Sequence, residues 1–286
     1  MAGSRIFMRR LLCQVVTCES ETELKQFDFG QNWQNFSVSR LDDLHIEQAR
    51  QHFRELMADV DLTGKTFLDV GFGQGLSLLI AHQEGAMVTG LDINPKCAQV
   101  VERNKQALGV EEDIETIVGS VLNPDDLAKL QGRQFDIVHS WGVLHHTGDM
   151  ARAINNACRF VKPDGHLVLA IYNRHWSSLP WLWIKRIYCH APVVFQKIMI
   201  GLFYPVIMLA KFLVTGQNPF RMSRGMDFYY NVVDWVGGYP YEYASIEEMV
   251  ALLEKIGFAL QKSIDSKVPT GCNEYVFKRQ PVVADR

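Results

Sequence analysis

The chain has 286 residues, 48% of them hydrophobic, and a net charge of −3. This suits one large α/β domain with a sizeable core, or one domain plus a cap, and excludes a disordered chain or a fibrous repeat. Mild acidity argues against a general nucleic-acid binder. The scattered cysteines (Cys13, Cys18, Cys97, Cys158, Cys189, Cys272) form no C-x-x-C pair and so predict no metal site.

In chain order, the first eighteen residues are apolar with Arg5, Arg9 and Arg10. Gln14 and Thr17 break that stretch, so it does not read as a cleaved secretory signal. With cysteines expected to be reduced and buried, the chain reads as cytoplasmic. Residues 1–60 are taken as an N-terminal helical cap. Within it, Trp33-Gln-Asn-Phe36 reads as a lid over a ligand or as an aromatic anchor. A helix over about 41–59 follows, with Leu41, Leu44, Ala49, Phe53, Leu56 and Met57 able to share one face.

Residues 61–173 alternate strand-like and helix-like runs. Strands are predicted at 66–70, 87–91, 114–118, 135–139 and 166–172. Helices are predicted at 75–82, 95–108, 124–130 and 150–161, with a turn at Lys162-Pro-Asp-Gly165. This rhythm implies βαβ units and a doubly wound parallel sheet covered on both faces. Residues 174–244 break the rhythm as a helical, aromatic and basic insertion. Residues 245–286 resume it with a helix at 245–256 and two strands at 258–266 and 273–279, read as an antiparallel pair at the sheet edge.

The strongest local signal is Phe67-Leu-Asp-Val-Gly-Phe-Gly-Gln-Gly75, at the end of a strand and opening a helix. Gly71, Gly73 and Gly75 allow a tight turn and a close ligand approach at the carboxyl end of the sheet. The G-x-G-x-G spacing differs from the G-x-G-x-x-G of dinucleotide enzymes. Asp69 would repel a pyrophosphate but tolerates an ammonium group, which disfavours an NAD-dependent oxidoreductase. Asp92, ending the second strand in Val88-Thr-Gly-Leu-Asp-Ile-Asn94, is placed to accept hydrogen bonds from both ribose hydroxyls.

At these residues the sequence resembles the class I S-adenosylmethionine-dependent methyltransferases. Asp69–Gly75 resembles their first motif and Asp92 their ribose acid. Phe135-Asp-Ile-Val-His-Ser-Trp-Gly-Val-Leu-His-His146 resembles their fourth motif, in the form used by ubiquinone and menaquinone methyltransferases. The resemblance implies a Rossmann-like seven-stranded sheet with its last strand antiparallel, S-adenosyl-L-methionine as cofactor, and contacts from Ile93, Ser120, Val121 and Ser140. One departure is Gly119-Ser120, where the family often has Gly-Asp; a serine hydroxyl still accepts a hydrogen bond.

Methyl transfer needs alignment of donor and acceptor, and a weak hydroxyl nucleophile also needs a general base. His145 and His146, following the fourth strand, are the candidates for that base, with local packing as the alternative. Trp141 and a second cluster, Tyr229, Tyr230, Asp234, Tyr239, Tyr241 and Glu242, are the candidate acceptor-binding residues. The cluster lies in Asp227-Phe-Tyr-Tyr-Asn-Val-Val-Asp-Trp-Val-Gly-Gly-Tyr-Pro-Tyr-Glu242, which reads as a shaped loop rather than a core helix. It resembles a Asp-Trp-x-Gly-Gly-Tyr-Pro-x-Glu stretch of a largely uncharacterised bacterial subgroup of these enzymes.

Between Asn173 and Gly225 there is no Asp or Glu, whereas Arg174, Lys185, Arg186, Lys197, Lys211, Arg221 and Arg224 are basic. The run Ile198–Ala210 has no charge. Three readings stay open for 174–224: a cap over the active site, a homodimer surface, or a patch touching the membrane. A single crossing is excluded, because strands of one sheet precede and follow the insertion. The expected function is methylation of a small organic acceptor, most readily at oxygen. The acceptor is lipophilic (quinone, phenol or lipid-like) or else a sugar or natural product. The alternative is a non-catalytic cofactor-binding protein with an interaction surface on the insertion. No nucleic-acid partner and no metal are expected.

Overall fold

A computed structural model describes residues 26–220 and 226–281. The apolar amino-terminal stretch, with Cys13 and Cys18, lies outside them. Seven strands form one sheet: β1 (Thr66–Val70), β2 (Met87–Asp92), β3 (Glu115–Val118), β4 (Phe135–Trp141), β5 (Val161–Tyr172), β6 (Phe258–Ile264) and β7 (Cys272–Arg279). Their order is β3-β2-β1-β4-β5-β7-β6. The ladders from β3 to β5 are parallel, and β7 runs antiparallel to both of its neighbours. The closing pair is therefore antiparallel as expected. Yet β7 slots between β5 and β6, leaving β6 at the edge.

The central strands are apolar at consecutive positions because both of their faces are covered. Phe67, Ile137 and Val168 join the core on one face, under α2 (Asp43–Leu56) and α3 (Leu76–Gln83). Leu68, Val138, Leu167 and Leu169 join the other, under α6 (Met150–Arg159) and the carboxy-terminal Ile246–Glu254 helix. This division follows the two-residue period of a strand. In α2, Ala49, Phe53 and Leu56 are buried as their spacing predicts, but Leu44 is 64% exposed in the first turn. Full burial of a side chain such as Phe53 or Leu68 contributes about 1.5–3 kcal/mol.

Local chemistry sets the helix starts. Asn94 and Asn123 cap helices that open with proline, α4 (Pro95–Leu108) and α5 (Pro124–Ala128). The Lys162-Pro-Asp-Gly165 turn sits inside β5 rather than before it. Pairing jumps from Phe135–Val161 to Ile137–His166, so the turn bulges out of the ladder, with Asp164 at φ 60°.

The remaining helices are α1 (Phe29–Ser39), α7 (Ser178–His190), α8 (Val193–Thr215), α9 (Phe228–Gly237) and the already placed carboxy-terminal helix, α10. The segment 229–242 corrects the loop expectation, because its first part is helix α9. The Asp227 carboxylate caps its start, accepting from the Tyr229 and Tyr230 amides. Phe228, Val232 and Val236, at helical spacing, pack with Tyr188, Met199 and Ile200 of α7 and α8. The glycine pair that suggested a loop only ends the helix.

Candidate active site

A cavity of about 1320 Å³ opens at the carboxyl ends of β1, β2 and β4. It exceeds the ~300–1,000 Å³ usual for one small ligand, so a cofactor and an acceptor fit together. Its floor is the glycine loop. Gly71, at φ 77°, donates to the Leu91 carbonyl (2.6 Å), and a Cβ placed on it would lie 2.3 Å from Val143. Gly75, at φ 76°, opens α3 and presses against Val101. Both are left-handed and crowded, so an L side chain is excluded twice over. Trp33 of α1 covers the loop at Gly73.

Asp92 ends β2 with its carboxylate buried in this wall. Oδ2 accepts from the Gly73 amide (2.9 Å) and Oδ1 from the Asn94 amide (2.8 Å), which leaves each oxygen capacity for a second donor. Burial raises its pKa, against the pull of those two bonds. Asp69 lines the cavity and pairs with His139 Nδ1 at 2.8 Å, both side chains being almost wholly buried. Ile93, Ser120 and Val121 line the same side. Ser120 Oγ already accepts from the Leu122 amide (3.1 Å), and its own amide donates to Asp126, so the hydroxyl also builds its turn. Ser140 does not reach the cavity. It is fully buried and its hydroxyl donates to the Val70 carbonyl (2.8 Å), tying β4 to β1.

The second wall is assembled from distant segments. Trp141, His145, His146, Asp234 and Tyr239 line it, together with Trp181 of α7. His146 Nδ1–H donates to the Pro240 carbonyl (2.6 Å), so its lone pair is on Nε2. Burial, with Lys185 nearby, lowers the His146 pKa to about 3, leaving a neutral ring. His145 is packed between His146 and Tyr172 with no exposure, and burial holds its pKa well below the ordinary histidine range. Asp234 accepts from the Asn32 side chain (2.6 Å), and burial pushes its pKa up to about 7.

Four of the predicted acceptor residues lie off this wall. Tyr229 is 49% exposed and its ring lies tilted against that of Tyr204. Tyr230 reaches Ser39 Oγ through its hydroxyl (2.9 Å) and packs on Phe36. Tyr241 is buried behind the wall beside Lys185. Glu242 Oε2 accepts from the Met150 amide (2.9 Å) at the start of α6, and its pKa is raised to about 7 by burial. Aromatic content alone could not separate wall from scaffold in this segment.

The family profile described as a methyltransferase domain matches residues 43–262. The chain belongs to that family. It is similar to the ubiquinone biosynthesis O-methyltransferase of Methylobacterium sp. (strain 4-46), 31% identical over 50% of this chain and 55% of the relative. It is also similar to the enzyme of that name from Coxiella burnetii, 31% identical over 54% of this chain and 64% of the relative. In both cases it covers less than two thirds of the relative. The fold is shared with the magnesium protoporphyrin IX methyltransferase of Synechocystis PCC 6803 with bound SAH (TM-score 0.53, 16% identity, covering 87% of this chain and 94% of that one). A putative sarcosine dimethylglycine methyltransferase of Galdieria sulphuraria also shares it (TM-score 0.55, 12% identity, 90% and 100%).

The chain thus carries a class I methyltransferase domain, and the cofactor of that family is S-adenosylmethionine. Its cavity fits that group: two glycines admit no side chain, and Asp92 keeps acceptor capacity in a buried wall facing the space. Behind the second wall lie residues that sequence reasoning missed. Asn32 of α1 holds Asp234 through its side-chain amide. Lys185, counted in the sequence only among the basic residues of the insertion, is fully buried among the Trp235, Tyr241 and Tyr172 rings and donates to the Trp235 carbonyl. Burial lowers its pKa to about 7. The only signal for Lys185 was the aromatic density of the insertion, and for Asn32 its place beside Trp33.

Proposed function

We propose that this methyltransferase methylates an oxygen of a small lipophilic acceptor such as a phenol or quinol. Asp234 carries the reading: a buried carboxylate titrating near neutrality, held by Asn32 in a wall of aromatic rings. A general base is most effective when its pKa lies near the working pH. The cofactor supplies an electrophilic methyl group on a sulfonium. Asp92 and the Gly71–Gly75 loop would hold its ribose and amino-acid ends, with Asp69 available to the ammonium. Asp234 would take the proton of the acceptor hydroxyl as that oxygen receives the methyl group. His146 Nε2, neutral but weakly basic, accepts a hydrogen bond that orients the acceptor. Trp141, Trp181 and Tyr239 bury the acceptor ring. The relatives' names, which place them in ubiquinone biosynthesis, support an aromatic acceptor. A cytoplasmic location, with membrane contact at the periphery, completes this reading.

Calorimetric titration with S-adenosylmethionine tests the first half of this reading, with micromolar affinity expected and loss in Asp92→Ala. Methyl transfer is then assayed on alkylated catechols and phenols against sugar acceptors. Turnover of sugars alone would overturn the lipophilic assignment, and absence of cofactor binding would sink the whole reading.

A further inference from the structure

The outer surface of α7 and α8 is the largest anomaly in the molecule. α8 is 23 residues long, and its most apolar stretch of 18 residues has mean hydropathy 2.0, yet only 11% of that stretch is buried. Its outward positions Phe195, Ile198, Leu202, Val206, Leu209 and Leu213 are each half exposed or more, and they recur at intervals of three and four along one face. The inward face meets Tyr188, Phe228 and Val232 through Met199, Ile200, Phe203 and Tyr204. On α7 and just before it, Trp176, Leu179, Trp183 and Ile187 repeat the pattern, with Trp176 83% exposed. A water-soluble helix normally turns polar residues outward. Here the exposed charges on the two helices are Arg186 and Lys197, both positive, and the whole 173–225 segment lacks an acid.

We propose that α7 and α8 form a membrane-docking surface that lies in the interface of an anionic bilayer. Two further observations fix the occupant. At about 1.5 Å per residue α8 is long enough to cross a bilayer, but α9, which follows it, packs back onto α8 and onto α1 on the same body, so the helix lies flat. The basic, acid-free segment complements acidic headgroups, and exposed tryptophans suit the headgroup level. The same helix also borders the cavity. Ala210 and Val214 are exposed and line it, beside Ile207, with Lys211 and Trp181. A lipophilic acceptor therefore passes from the bilayer into the site along the carboxy-terminal half of α8. This last step rests on the methyl-transfer reading of the cavity; the docking does not.

The test is co-sedimentation of the full chain with phosphatidylcholine vesicles, with and without phosphatidylglycerol. Binding is expected to be stronger with the anionic lipid and weakened by salt. Leu202→Glu combined with Leu209→Glu, both on the outward face, should lower the partition coefficient about tenfold or more. Their circular dichroism and S-adenosylmethionine affinity should be unchanged. A protein that stays in the supernatant with both lipids overturns the proposal. So does a dimer, seen by analytical ultracentrifugation, that the same substitutions dissociate while vesicle binding is absent. Vesicle binding without cofactor binding would retain the docking surface and remove the acceptor route.

Discussion

The cofactor wall of the cavity comes from short consecutive stretches, whereas the acceptor wall joins residues far apart in the chain. Gly71, Gly73 and Gly75 fall within one turn, and Asp92 reaches back to that turn through the Gly73 amide. Across the cavity, Asn32 meets Asp234 over 202 positions and His146 meets Pro240 over 94. The first wall is backbone chemistry: left-handed glycines, a strand end and amides that need an acceptor. The second is side-chain chemistry in which burial sets the ionisation. Substitutions should therefore act on cofactor affinity in one wall and on turnover in the other.

The largest expected effect is at Gly71. Gly71→Ala adds a Cβ at φ 77° and 2.3 Å from Val143, so the loop must move. Strain of this kind is about 1–3 kcal/mol before the clash is counted, and the affinity for S-adenosylmethionine should fall about 100-fold or more by calorimetry. Gly109→Ala is the control. It sits at φ 67° at the end of α4 with open space around its Cβ. It should lower the melting temperature by a few degrees and leave cofactor affinity intact. If both variants lose binding equally, the loop's crowding is not what shapes the site.

Next comes Asp234→Asn, which keeps an oxygen for Asn32 but removes the base. Turnover should drop about 100-fold with cofactor affinity unchanged. With a pKa near 7 the carboxylate is formed only as pH rises through neutrality, so wild-type kcat should climb across that window and the variant's should not. A rising limb that persists in the variant would assign the proton to another group that titrates near neutrality.

The same contrast explains what the sequence made legible. The alternating strands and helices, the parallel sheet and the loop at Gly71–Gly75 follow from apolar runs, caps and glycine spacing, all local properties. The place of β7 inside the sheet was not local, since its pairing with β5 spans the whole insertion. Tyr229, Tyr230, Tyr239 and Tyr241 are chemically alike, but only Tyr239 lines the cavity, because α9 turns Tyr229 and Tyr230 elsewhere and Tyr241 is buried beside Lys185. Ser140 lies in the right motif, yet strand alternation and the Val70 carbonyl take its hydroxyl away from the cavity. Asn32 and Lys185 gain their importance only from burial against partners that no sequence window contains.

Glu242 gives the smallest and sharpest separation of wall from scaffold. Its carboxylate accepts from the Met150 amide at the start of α6, outside the cavity, and burial raises its pKa from 4.5 to about 7. A raised carboxyl binds its proton more tightly in the folded state. The destabilisation from its burial is thus absent below about pH 4.5, grows up to pH 7 and is complete above that. Glu242→Gln keeps the acceptor oxygen and removes the charge. It should stabilise the fold by about 1–2 kcal/mol at pH 8, a figure reduced from the full shift because the group is partly solvated, and by almost nothing at pH 4. Thermal melts at the two pH values read this directly, with KM for the acceptor expected to stay constant. Destabilisation at both pH values would mean instead that the charge at the amino end of α6 outweighs its burial, with the helix dipole as the dominant effect.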